Sequence, residues 1–301
     1  MKDLTAYSTS RRMVRRSPFC AYCGHAFAPG EKGEDEHVIG RKFVPRGTLA
    51  AQWNLILTAC GTCNDLKAEL ENDVSAISMQ PDGLGRYASD DPRLIAEAQR
   101  KARTTNQRTG RFVSEPEPPM NITGRFGPMT INFSFTHPAQ CDENRLFQLA
   151  RMQLAGFFAM LTWKEDERRG YYWPGAYMPV VAVRKEDWAN PLLTSIEDIA
   201  RDWEHRLFAV AADGFYRVWI KRRPGDPAVW AWALEWNRNF RLGGFFGDED
   251  AMRELAATLP PLVVETLHET PGVVLRYRTE TPLAEADDHL FDFPDDYVEA
   301  A

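Results

Sequence analysis

The chain of 301 residues has no apolar run long enough to cross a bilayer: the longest, Leu154 to Trp163, is about half of the roughly 20 residues a membrane helix requires. No apolar leader core follows the arginines near its start. The expectation is a folded cytoplasmic protein without a membrane partner. Cysteine is scarce, at five residues, and histidine nearly so, at six. A small, odd cysteine count argues against a disulfide-stapled secreted scaffold. Internal repeats and low-complexity tracts are also missing, and 44% hydrophobic with 26% charged residues excludes wholesale disorder. At this length two domains are expected.

Positive charge is short overall, with a net of −7, but it is not evenly spread. Residues 1–112 hold 17 Lys and Arg against 13 Asp and Glu, whereas residues 113–301 hold 19 against 30. A basic first part on an acidic body is compatible with nucleic acid meeting the first part. Lys2, Arg11, Arg12, Arg15 and Arg16 form a basic arm, read either as a phosphate contact or as a solubilising tail.

Four of the five cysteines stand in two pairs, Cys20-Ala21-Tyr22-Cys23 and Cys60-Gly61-Thr62-Cys63. Two thiolates two residues apart grip one ion from a tight turn, and two such turns complete a closed tetrahedral site, for which zinc is the expected metal. A redox role is the competing reading, although neither pair has a thioredoxin-like context. Between the pairs lie Glu34-Asp35-Glu36-His37, Arg41 and Asn54, and directly after them Asn64 and Lys67. An oriented neutral imidazole suits His37 as a general base near pH 7. Glu36 offers a hard oxygen to Mg²⁺ or Mn²⁺, to which Asn64 can add an amide oxygen.

In this order and spacing, roughly residues 18–70 resemble an HNH endonuclease of the ββα-metal, or His-Me finger, group. The resemblance implies His37 as the base that activates water and Glu36 with Asn64 as holders of a single catalytic Mg²⁺ or Mn²⁺, with Asp35 as the alternative to Glu36. It makes Asn54 the residue that steadies the histidine loop, and Lys67 and Arg41 the cations that balance phosphate charge. DNA is the implied substrate, with RNA left open. Thr62 and Asp65 fit a capping box at the start of the helix that carries Asn64 and Lys67.

The segment Arg100 to Arg111, with Lys101, Arg103 and Arg108, is read either as a phosphate-facing stretch or as a solvated helix end, and the C-terminal half announces no chemistry. Asp90-Asp91-Pro92 opens a helix through Arg103, and the dense Pro and Gly cluster at Ser114–Pro128 suggests a linker. The expected fold class is α+β: a zinc-stapled ββα-metal nuclease domain over 1–112, a linker over 113–128, and an α+β domain with a mainly antiparallel sheet over 129–301. In the second part, strands are expected at Met129–Phe135, Met178–Arg184, Phe215–Arg222, Val229–Trp236 and Val273–Arg278. Helices are expected at Asp142–Lys164, Ser195–Leu207 and Asp248–Leu259. The alternating register sends Trp230, Trp232 and Trp236 to one face, as a packed core would. From Glu280 onward eight acidic residues and no basic one suggest a mobile tail. The functional expectation is a metal-dependent endonuclease acting in defence or in a mobile element. Its second domain would serve as sensor, regulatory-ligand or partner-protein site, or homo-oligomer interface. The alternative is a zinc-stabilised nucleic-acid-binding or scaffold protein with an inactive site.

Overall fold

The computed structural model describes residues 12–50, 52–82, 85–106, 109–115, 120–126, 129–135, 142–173, 175–270 and 273–292. The start of the basic arm through Arg11, the prolines 116, 118, 119 and 128, Cys141 and the last acidic residues lie outside them. Among the described residues the chain is mixed α+β, with five α-helices and a mainly antiparallel principal sheet. Among the described residues no helix is long and apolar enough to cross a membrane.

Three short strands come first: β1 (Arg12–Arg15), β2 (Glu34–His37) and β3 (Asn54–Ala59). β3 is the central strand, parallel to β1 and antiparallel to β2, and all six of its residues are buried. A strand covered on both edges and packed on its faces needs the unbroken apolar stretch Leu55-Ile56-Leu57. Helix α1 (Gly61–Ser78) follows at once, with Cys60 as its N-cap. The expected capping box does not form, since no side chain caps this end. Helix α2 (Pro92–Ala102) begins as expected: Asp91 accepts a hydrogen bond from the Arg93 amide and Pro92 fills the first position.

Part of the expected linker is a strand, β4 (Met120–Phe126), paired antiparallel with β5 (Met129–Phe135). Helix α3 (Glu143–Leu161), capped by Asp142, precedes β6 (Ala176–Val183) and helix α4 (Pro191–Ile199). Strands β7 (Glu204–Ala211), β8 (Tyr216–Arg222), β9 (Val229–Trp236) and β10 (Phe240–Gly247) complete a five-stranded sheet ordered β6-β10-β9-β8-β7. Helix α5 (Glu249–Thr258) and the hairpin β11 (Glu265–Thr270) and β12 (Val273–Tyr277) follow.

Two strands of the five-stranded sheet depart from the sequence expectation for a physical reason. β7 was expected as the end of a helix beginning at Ser195, but α4 stops at Ile199 and the chain returns extended. Leu207 and Ala211 face one core and Phe208 the other, so the strand is apolar on both sides and shows no alternation to read. β10 carries Gly243-Gly244, normally a break signal. A side chain at Gly244 would strike the Met178 carbonyl at the bulge where β10 and β6 change register.

The principal sheet is buried on both faces. Trp230, Trp232, Leu234 and Trp236 pack toward α3, as their register predicts, while Val229, Ala231 and Ala233 pack toward α4 and α5. The first of these cores does not stop at the expected domain boundary. It joins Tyr22, Val38, Phe43, Leu55 and Leu70 of the first part to Leu149, Phe157, Tyr216 and Trp236 of the second in one cluster. Polar contacts cross as well: Asn237 donates to the Phe43 carbonyl at 3.2 Å and to the Ser78 hydroxyl at 2.9 Å, and Arg145 pairs with Asp73 at 2.8 Å. The split at 113–128 is therefore a feature of the sequence and not of the core. The acidic tail is also pinned over its described part, because Asp288 pairs with buried Arg241 at 2.6 Å and Leu290 and Phe291 enter the second core.

The two parts also pack tightly at Gly156 of α3. A methyl group there would lie 2.7 Å from Val38, the residue after His37, and 3.3 Å from Leu57. Gly156→Ala should therefore cost about 1–3 kcal/mol through overpacking, measured as a lower midpoint in urea unfolding. An unchanged midpoint would show that α3 does not bear on this strand.

Candidate functional site

The two cysteine pairs meet where β3 runs into α1. The four Sγ atoms of Cys20, Cys23, Cys60 and Cys63 lie within 4.8 Å of one another, and none forms a disulfide. The Cys23–Cys60 Sγ separation is 3.8 Å, which is the edge of a tetrahedron with metal–sulfur bonds of about 2.3 Å. The donors are soft and complete, so the group could bind a metal such as zinc and would leave no open position. Burial, and then the neighbouring Cys20, push the Cys63 thiol well up from its ordinary value. A dication among the sulfurs reverses that tendency. The cluster brings the 20s turn against the start of α1.

His37 ends β2, opposite Ile56 of β3. It is half-buried, and its Nε2 lies 3.3 Å from the Arg41 guanidinium. Arg has no acceptor, so Nε2 carries the lone pair and the neutral ring is protonated on Nδ1. Burial, then Arg41, hold the imidazole below its ordinary pKa, against the opposing pull of Glu36. Asn54 is buried and donates to the Ile39 carbonyl at 2.9 Å. The bond links the first residue of β3 to the turn just beyond His37.

The other expected site residues are arranged differently. Lys67 is wholly buried, and its ammonium donates to Glu36 at 2.7 Å, to the His37 carbonyl at 2.8 Å and to Glu71 at 2.5 Å. Enclosed by these acceptors, it does not reach solvent or a phosphate. Asn64 donates to Glu34, and Asp35 is held by Arg16 at 2.7 Å. Glu36 and Asn64 thus come from the expected elements but are each committed elsewhere. Among the described residues, the cysteine cluster is the one group of three or more His, Cys, Asp or Glu side chains placed to hold a metal.

Glu71 escaped the sequence reading. It also accepts from the Gly40 amide at 3.0 Å, which anchors the turn after His37 to α1. Burial pushes its carboxyl up, opposed by the Lys67 ammonium. The Lys67–Glu71 spacing of four on one helix was the available signal. No protein-family model, curated protein or solved structure matches this chain.

Proposed function

We propose that the chain is a metal-dependent endonuclease of the HNH type, hydrolysing phosphodiester bonds in nucleic acid, with a structural zinc on Cys20, Cys23, Cys60 and Cys63. The observation that carries this reading is His37. It sits half-buried at the end of β2, its lone pair directed at Arg41, with Asn54 bracing the turn behind it and the Glu36 carboxylate beside it on the strand. In this reading His37 Nε2 takes the proton of the attacking water. Arg41, already in contact with that nitrogen, is placed to meet the charge of the phosphate. Water and Arg41 share one lone pair, so the guanidinium must shift toward the phosphate as the proton is taken.

The oxygen donors of Glu36 and Asn64 suit a hard cation, and Mg²⁺ or Mn²⁺ there would supply electrostatic stabilisation of the charged phosphate. Such an ion competes with the Lys67 ammonium for Glu36. That ion pair also favours a second reading, in which the chain binds nucleic acid without cutting it.

The deciding experiment is nicking of supercoiled plasmid and of single-stranded circular DNA with and without Mg²⁺ or Mn²⁺. Loss of a general base commonly costs on the order of 10²–10⁴ in rate, so His37→Ala should abolish visible cutting while binding persists. Cutting that survives His37→Ala sinks the nuclease reading at this site. Binding with no cutting by the wild type under any of these ions supports the second reading.

A further inference from the structure

Beside His37 opens a cleft of about 690 Å³, walled by the 41–50 loop, by α1 and α2 and by residues 104–106. Six basic side chains line it: Arg12, Arg41, Lys42, Arg46, Arg100 and Lys101. Two are committed. Arg100 pairs with Glu97, and buried Lys101 donates to the Lys42 carbonyl at 2.6 Å and to Ser75. The two acids of the lining are committed as well, Glu97 to Arg100 and Asp73 to Arg145. Among the described residues the exposed Arg12, Lys42 and Arg46 make no ion pair, and Arg41 makes none either, its guanidinium lying against the His37 ring. Four cations thus crowd one concave surface without a paired counter-charge among the described residues. Mutual repulsion makes that arrangement costly unless an anion is meant to enter. The floor is of another kind, with Leu49, Ala76 and Val113.

The shape limits which anion. A cleft of this volume accepts a ligand of small-molecule size, hence a short stretch of one strand, and it is too small for a duplex. Nor can the second half of α1, the part that walls the cleft, be laid into a duplex groove about 12 Å wide. Its residues from Leu70 to Ser78 are almost all buried, and α3 covers it through Arg145 on Glu69 and Asp73. We propose that this cleft holds a single nucleic-acid strand, with phosphates on Arg12, Lys42 and Arg46 and bases toward the apolar floor. Arg41 then hands the next phosphate to His37. The proposal rests on the nuclease reading for that last step, but the binding itself does not.

The test is fluorescence anisotropy without added divalent ion, using labelled strands of about 12 nucleotides, as single-stranded DNA, single-stranded RNA and blunt DNA duplex. Either single strand should bind at least about tenfold more tightly than the duplex. Lys42→Glu with Arg46→Glu should weaken single-strand binding by tenfold or more at unchanged zinc content and unfolding midpoint. Losing two phosphate contacts should also flatten the salt dependence by about 1.4 in log–log slope. Hydrogen exchange of the wild-type protein with the strand bound checks the location without any variant, through protection over residues 41–50 and 97–106.

Equal or tighter duplex binding, binding to none of the three, a double variant with wild-type affinity and salt slope, or protection confined to other segments overturns the proposal. The two readings fail separately. A double variant that binds and cuts like wild type removes the cleft and leaves the nuclease. A strand held in the cleft and never cut by the wild type removes the nuclease and leaves the cleft.

Discussion

Chelation of the metal from the cysteine cluster, or Cys60→Ser, is expected to unfold the β1–β3–β2 region and with it much of the chain. Zinc held by four thiolates contributes an apparent 10–16 kcal/mol, roughly, in small zinc modules, comparable with or above the 5–15 kcal/mol or so that stabilises a typical domain. The effect should spread because Cys20 is buried in the large core, with Cys60 and Cys63 packed against it, and that core continues to Trp232 and Trp236. Elemental analysis should give one zinc per chain, and circular dichroism should show a cooperative loss of structure as a strong chelator removes it. Protein that folds with no bound metal, or a Cys60→Ser protein with unchanged metal content and stability, would refute the zinc assignment.

Lys67→Met should be the most damaging single substitution away from the cysteines. Removing one partner of a buried ion pair strands the other charge and commonly costs about 3–5 kcal/mol, and Lys67 serves two carboxylates, Glu36 and Glu71. Combining Lys67→Met with Glu71→Gln should restore part of the loss, since the more deeply buried of the two stranded charges is gone, only Glu36 is left unpaired, and an acceptor for the Gly40 amide remains. The deficit of the single variant should depend on pH. Burial raises the Glu71 carboxyl above its usual 4.5, and the loss of Lys67 removes the opposing pull. The folded state then binds a proton more tightly than the unfolded one, so the deficit is smallest below pH 4.5 and grows as pH rises through the folded value. Denaturant unfolding at several pH values with zinc present measures this. A pH-independent deficit would mean that Glu71 does not carry the stranded charge.

Much of what local chemistry dictates could be read along the chain, the capping box at Thr62 and Asp65 excepted. The cysteine pairs announce their own cluster because two residues between thiols is a turn-sized interval, and Asp91, Asp142 and Asp248 announce helix starts because a short acidic side chain caps its own turn. The strand Val229–Trp236 and the common face of its tryptophans follow from a period of two. The order of Glu36, His37, Asn54 and Asn64 between and beside the cysteines was equally plain, and it is enough to nominate His37.

Partnership between distant residues was decided only in three dimensions. Lys67 reads as a surface cation in sequence, and it lies buried because Glu36, thirty-one residues earlier, and Glu71 on its own helix surround its ammonium. Arg12, Lys42 and Arg46 are unremarkable singly, and they become a cleft wall only when β1, the 41–50 loop and α2 are brought together. The breaker-rich segment before α3 reads as a boundary, yet Gly156 lets α3 close against Val38 and merges the two parts into one core. Hydrophobic burial has no direction and no sequence range: it joins any apolar faces the topology brings together, and no local pattern records which those are.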